Sequence, residues 1–133
     1  MGYKQEDVQK FNDALRRALN QKPGANDLAA IIAFEGAGLK NVQPRVNVLT
    51  FNAWKACGRS VLAGQHSVRV GVVLNKVYPM KDDLGEETGE TMFRRVPGTA
   101  YLFHIIQTQP DPNWDEDSAI PEARIVRGLN SLE

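Results

Sequence analysis

The sequence predicts an α+β fold in which three N-terminal and central helices pack on a small antiparallel β-sheet. Two observations predict it. Apolar residues recur at helical spacing near the N-terminus, and a valine-rich stretch over 67–78 alternates in the manner of a half-buried strand. The chain has 133 residues, of which 42% are hydrophobic. This is enough for one compact core of modest size.

Three segments are predicted to be helical: 6–21, 26–36 and 50–58. The first is amphipathic, because its apolar side chains follow the i, i+3, i+4, i+7 spacing of one helical stripe. The second is apolar almost throughout, and either Asn26 or Asp27 can cap its first turn through a side-chain oxygen. In the third, Thr50 is placed to cap the start and Gly58 to end the helix.

Two strands are predicted, over 67–78 and 100–107, and we expect them to pair as a hairpin. Pro79 is expected to close the first strand, because proline cannot donate a backbone hydrogen bond. The polar and acidic residues 80–92 then predict a loop. A further strand starting at residue 93 is expected to be interrupted at Pro97.

The predicted domain boundary lies at residue 108. Residues 1–108 form the predicted binding domain, and residues 109–133 begin with a proline-bearing acidic segment. We expect this segment to be a linker, followed by a short C-terminal helix over 121–130 or a tail.

The charges are distributed unevenly along the chain. Sixteen basic and sixteen acidic residues give no net charge, yet residues 36–81 contain seven bases and no acid. Residues 82–133 contain eleven acids and four arginines. Such asymmetry suggests a polyanionic partner for the central segment. The alternative is a solvated surface that lacks acids and binds nothing.

Several functional classes are not expected. No stretch approaches the roughly eighteen apolar residues of a membrane span, and the N-terminus lacks the apolar run of a secretory signal. Cys57, His66 and His104 do not have the spacing of a zinc site. We interpret His104 as structural and Cys57 as packed and inert. The sequence therefore predicts a cytoplasmic, non-enzymatic protein without a cofactor or metal.

Cations and aromatic residues alternate in the central and following segments. This combination is typical of proteins that bind single-stranded nucleic acid, in which cations neutralise phosphates and bases stack on rings. The candidate binding residues are Arg45, Trp54, Lys55, Arg59, Arg69, Lys76, Tyr78, Arg94 and Arg95. Phe93 and Tyr101 are further candidate rings.

Each ring also has a structural interpretation. Trp54 stands at helical spacing from Phe51 and Cys57, which is equally typical of a core residue, and Tyr101 lies in an alternating strand. Arg69 is expected to point to solvent if Val68, Val70 and Val72 face inward, with Gly71 leaving open space above the sheet.

A recognisable pattern runs through residues 49–66, the strand that follows and residues 101–108. This chain resembles the N-terminal single-stranded-DNA-binding domain of ArdC-type antirestriction proteins. The family pattern is roughly Thr-Phe-x-x-Trp-x-x-x-Gly-Arg-x-Val-x-x-Gly, a strand, and then Phe-His-x-x-Gln-Thr. The matching residues are Thr50, Phe51, Trp54, Gly58, Arg59, Val61, Gly64, Phe103, His104, Gln107 and Thr108.

The resemblance implies a binding module of mobile elements or phages, without the peptidase domain of larger family members. The expected function is non-sequence-specific binding of single-stranded DNA through a basic groove that bears aromatic rings. The alternative is a protein-interaction module that docks an acidic partner, for example as an antirestriction protein or an inhibitor of a host nuclease. A small enzyme is the remaining alternative, and it would depend on His66 or Cys57.

Overall fold

The structure is a computed structural model that describes residues 2–21 and 24–131, and its architecture is the predicted α+β class. Its helices are α1 (Gln5–Leu19), α2 (Ala25–Gly36), α3 (Phe51–Ala56) and α4 (Pro121–Ser131), with 3-10 turns at Ile105–Gln107 and Glu116–Ser118. Its strands are β1 (Val48–Thr50), β2 (Arg59–Val61), β3 (Val68–Lys81), β4 (Glu87–His104) and β5 (Thr108–Pro110). The strands form an antiparallel sheet in the order β1-β4-β3 and a separate β2-β5 pair.

The predicted hairpin is confirmed, but it extends much further toward its tip than the sequence suggested. Its second strand ends at His104 and not at residue 107, because Ile105–Gln107 form a 3-10 turn. Val68 pairs with Leu102, and the register continues without interruption to Pro79 opposite Thr91. A bulge follows, and Lys81 then pairs with Glu87. The expected loop over 80–92 is therefore wrong, because most of these residues extend the two strands.

Pro79 and Pro97, which were expected to end or interrupt a strand, both lie at positions where the β3–β4 pairing requires no backbone N–H donor. The side chain of Asn26 bonds both the N–H (2.9 Å) and the C=O (3.0 Å) of Val73, so these groups point away from β4. The pair of Val73 with Pro97 is thus a non-hydrogen-bonded pair, and so is the pair of Pro79 with Thr91, an even number of positions further on. Proline is tolerated at such sites on an open edge.

The start of α2 differs from the prediction. Neither Asn26 nor Asp27 caps this helix; its N-cap is Gly24. Asn26 instead covers the free edge of β3, and Asp27 forms a bidentate ion pair with Arg45. The cap expected at Thr50 is confirmed, since its hydroxyl accepts from the N–H of Ala53 at 3.3 Å.

Trp54 lies at the centre of the core. Its side chain is fully buried, and its indole N–H donates to the carbonyl oxygen of Phe103 at 2.9 Å. The surrounding buried residues come from four elements: Ala14 and Leu15 of α1, Leu49 of β1, Ala53, Ala56 and Cys57 in or next to α3, and Ile120, Ala123 and Val126 in or next to α4. One core therefore joins both ends of the described chain.

The C-terminal segment is part of this core rather than a linker and tail. Residue 108, the expected boundary, begins β5, which pairs with β2. The helix expected over 121–130 is present as α4, and it buries Ala123 and Val126 against the core. Trp114 packs on Gly58, where an added Cβ would lie 2.9 Å from the indole Cδ1. Residues 132 and 133 lie outside the described residues.

A polar cluster around Lys55 ties the C-terminal segment to the body. The Lys55 ammonium donates to Asp111 at 3.0 Å, to Ser60 at 3.0 Å and to the Tyr3 hydroxyl at 2.7 Å. Burial by itself disfavours the charged forms of both groups, but their hydrogen bonds and mutual attraction outweigh it. The pKa of Lys55 is therefore raised and the pKa of Asp111 is lowered.

Candidate nucleic-acid interface

The nine candidate residues do not form one groove. Five of them lie on the β3–β4 hairpin, and four lie in the rest of the domain, which we call the body. The body residues are Arg45, Trp54, Lys55 and Arg59. The hairpin residues are Arg69, Lys76, Tyr78, Arg94 and Arg95.

The four body residues are engaged in structural contacts. Trp54 presents no ring face to solvent, and Lys55 is buried against Asp111. The Arg59 side chain donates to the hydroxyl (2.7 Å) and carbonyl (3.0 Å) oxygens of Thr108, which ties β2 to β5. Burial lowers the pKa of Arg59. Because Trp54 and Lys55 are buried, their placement argues against the expectation that they contact a ligand.

The two faces of the hairpin carry different side chains, because directly opposed residues of an antiparallel pair lie on the same face. We define the helix-side face as the one containing Val70, which is 2% exposed. From there toward the tip it carries Val72, Leu74 with Val96, Lys76 with Arg94, and Tyr78 with Met92. The solvent-side face carries Arg69 with Tyr101, Gly71, Val73, Asn75 with Arg95, and Val77 with Phe93.

The predicted orientation around Arg69 is confirmed. Val70 is buried, Arg69 and Gly71 are exposed, and a Cβ added at Gly71 would meet no atom within 4 Å. However, Arg69 and Arg95 lie on the opposite face from Lys76 and Arg94. The structure therefore brings together Lys76, Tyr78 and Arg94 as one group.

Residues 75–95 form a projecting β-ribbon, which we call the arm. Every residue from 75 to 95 is exposed, so both faces and both edges of the ribbon are solvated. From Asn75 to Lys81 the arm extends by about 20 Å, given about 3.3 Å per strand residue. Phe93 is 74% exposed and Tyr78 is 38% exposed. Rings and cations are thus presented together on a surface that contributes nothing to the described core.

Lys76, Arg94 and Arg95 of the arm form no ion pair with a carboxylate among the described residues. Among the residues that the structure describes, the ion pairs are Arg16–Glu122, Arg45–Asp27, Lys55–Asp111 and Arg127–Glu116. None of them involves Lys76, Arg94 or Arg95. The acidic residues that follow at the tip, from Asp82 to Glu90, lie further along the ribbon.

Lys76 and Arg94 lie directly opposite each other in the register. Side chains in this relation have Cβ atoms about 5 Å apart, and like charges there destabilise the pairing. An anion bound between the two groups would remove that repulsion. Tyr78 occupies the next position on the same face, about 7 Å further along the strand.

Four of the residues that carry the sequence resemblance have structural roles. His104 and Gln107 cap the turn Ile105–Gln107 reciprocally: the Ile106 N–H donates to His104 Nδ1 at 3.2 Å, and the His104 N–H donates to Gln107 Oε1 at 2.8 Å. Gly58 and Gly64 have φ angles of 78° and 83°, where glycine is favoured. The observed roles of these four residues are to stabilise turns of the fold.

Of the two candidate catalytic residues, Cys57 is poorly placed for chemistry. Cys57 is buried, and burial raises its pKa to about 12, which opposes formation of a nucleophilic thiolate. His66 is exposed, and its carbonyl oxygen accepts from the Gln107 side chain at 2.9 Å. No group of three or more His, Cys, Asp or Glu side chains within the described residues could hold a metal ion.

Sequence analysis assigned no binding role to several residues around a cavity at the base of the arm. Arg17, Phe51 and Asn52 line it, and Phe51 is 45% exposed. The polar face of the first helix was visible from its periodicity, and Arg17 lies on that face. Nothing in the sequence shows that Trp54, three residues after Phe51, takes the buried position while Phe51 stays at the surface.

The comparisons with known proteins leave the family assignment open. No protein-family model, curated protein or solved structure matches this chain. The resemblance to ArdC-type domains therefore stays a prediction. Within the described residues, no helix is both long enough and apolar enough to span a bilayer.

Proposed function

We propose that this chain binds single-stranded DNA without sequence preference, along the helix-side face of the arm. The observation that carries the proposal is the opposed pair of Lys76 and Arg94 beside Tyr78, exposed and without a carboxylate partner within the described residues. Two adjacent cations suit a phosphate, and a ring at the next position suits a base. Phosphate contacts carry no sequence information, so sequence preference is expected to be weak.

The binding mode assigns distinct roles to the predicted residues. Lys76 and Arg94 neutralise the backbone, with Arg forming the bidentate contact that lysine cannot make. Tyr78 provides the stacking surface. Arg95 and Arg69 lie on the other face of the ribbon, where they add long-range attraction rather than contacts to the same phosphates.

A salt titration of oligonucleotide binding tests this proposal. Fluorescence anisotropy of a labelled oligothymidylate would be followed between about 50 and 200 mM salt, a range over which phosphate contacts weaken strongly. We expect log-linear weakening and a preference for single over double strands. Replacing both Lys76 and Arg94 with alanine removes two phosphate contacts, so the slope of log K against log salt should become shallower by about 1.4.

The matched control is the double variant Lys10→Ala with Arg124→Ala. It makes the same change in net charge at exposed positions on α1 and α4, away from the arm. An equal loss of slope in both variants would show that only net charge matters and would refute the arm as the site. No binding at about 50 mM salt would instead favour the alternative of a docking module for an acidic protein.

A further inference from the structure

A cavity of about 640 Å³ lies where the arm meets the body. Its floor is the helix-side face of the hairpin, contributed by Val72, Leu74, Ala100 and Leu102. Its walls are the C-terminal half of α1, the first turns of α2, and the junction of β1 with α3. This volume is in the range of small-molecule sites, which are typically apolar with a few polar groups.

The polar groups of the cavity lie on its walls. Arg17 comes from the last turn of α1, Gln21 from the segment just after it, and Asn52 from the start of α3. The ion pair of Arg45 with Asp27 also lines the cavity, so the one carboxylate among the described lining residues is already neutralised. Among these described residues, Arg17 is the cation without a carboxylate partner. Amide and guanidinium groups of this kind match the donors and acceptors on the edges of nucleobases.

The cavity lies next to the proposed phosphate contact. Leu74 on the cavity floor and Lys76 are successive residues on the same face of β3, about 7 Å apart. Asn26 holds α2 against the edge of β3 at Val73, so the wall of the cavity ends just before the arm begins. A strand whose phosphate lies between Lys76 and Arg94 thus has a neighbouring nucleotide at the cavity.

We infer that this cavity accepts one unstacked nucleobase of the bound strand. The inference rests on the proposed function, because Lys76 and Arg94 supply the phosphate contact that positions the base. Leu74 covers the neighbouring Gly98, so the open part of the floor lies over the small side chain of Ala100, next to Leu102. Phe51 lines the same cavity and offers a partly exposed ring for stacking.

Filling the cavity tests the inference. Ala100→Phe places a ring in the space that the base would occupy, and phenylalanine is well suited to a strand. The control is Val73→Phe, which adds a ring on the solvent-side face of the neighbouring strand. We expect Ala100→Phe to weaken binding of oligothymidylate by about tenfold or more at every salt concentration, the loss of one base contact. The salt slope should stay unchanged because the phosphate contacts remain.

The outcomes separate this inference from the proposed function. If the unaltered protein does not bind oligothymidylate, the proposed function fails and the inference fails with it. If the unaltered protein binds and Ala100→Phe binds equally well, the cavity is not a base site and the arm proposal stands. A loss in Ala100→Phe matched by Val73→Phe also overturns the inference, because ring size on the sheet would then explain the effect.

A measurement on the unaltered protein avoids any dependence on folding of the variant. A fluorescent 2-aminopurine would replace each thymine in turn in a short oligothymidylate, and its quenching by acrylamide would be measured with and without protein. We expect the enclosed base to be protected from the quencher at one or more positions. If the probe is as accessible to acrylamide in the saturated complex as in the free oligonucleotide, at every position tested, the inference is overturned.

Discussion

Replacing Asp111 with asparagine should lower the free energy of unfolding by about 3 kcal/mol. The side chains of Asp111 and Lys55 are 2% and 11% exposed, and the carboxylate oxygen lies 3.0 Å from the ammonium nitrogen. Asparagine has nearly the same shape, so the change removes the negative charge without opening a large cavity. The Lys55 ammonium is then left buried without a counter-charge.

The magnitude follows from the remaining contacts. Breaking a buried ion pair by removing one partner costs about 3 to 5 kcal/mol. Lys55 retains two neutral acceptors, Ser60 at 3.0 Å and the Tyr3 hydroxyl at 2.7 Å. These hydrogen bonds keep the ammonium partly satisfied, which places the expected cost at the lower end of that range.

Urea unfolding followed by tryptophan fluorescence measures this cost, since Trp54 is fully buried and Trp114 is partly buried against Gly58. The double variant Lys55→Met with Asp111→Leu should be more stable than the sum of the effects of its single variants, because neither charge is then buried without its partner. It should not recover the full stability, because Tyr3, Ser60 and Asn113 lose hydrogen-bond partners. A cost below about 1 kcal/mol for Asp111→Asn, or a double variant as unstable as the sum of its single variants, would refute the reasoning.

Two further predictions concern acid stability and a glycine. The pKa of Asp111 is lower in the folded than in the unfolded chain. Its contribution to the free energy of unfolding is therefore present above about pH 3.9 and is lost as the pH falls through the pKa of the folded state. Between about pH 5 and pH 2, the urea midpoint should fall more steeply for the original protein than for Asp111→Asn. Gly58→Ala should destabilise the fold by about 2 kcal/mol or more, because its φ is 78° and its Cβ would lie 2.9 Å from Trp114. Gly64→Ala, with a φ of 83° and open space around it, should cost only the backbone part, about 1 kcal/mol; equal costs in urea unfolding would contradict a steric role for Trp114.

The regular elements were predictable because their signals are local. Helical spacing located α1, α2 and α3 to within a few residues, and alternating valines located the start of β3. The length of the hairpin was not predictable in this way. Pro79 and Pro97 would end a strand only if they stood in hydrogen-bonded pairs of the ladder. Which pairs are hydrogen-bonded depends on the register of β3 against β4, and the sequence around the prolines does not show this register.

The candidate site was only partly predictable because the partner of a charged residue is often distant in sequence. Lys55 is separated from Asp111 by 56 positions and Arg45 from Asp27 by 18. An acid-free segment therefore did not imply unpaired cations. Where no carboxylate folded back, as around Lys76 and Arg94, the prediction of exposed cations agrees with their exposure in the structure.

The residues that form the core of this small domain are different from those that form the exposed arm. The buried residues of the described chain lie outside the arm, whereas every residue from 75 to 95 is exposed. Substitutions along the arm therefore change the shape and charge of its surface at little cost to the free energy of folding. The surface of the arm can diverge between related chains while the core residues stay the same.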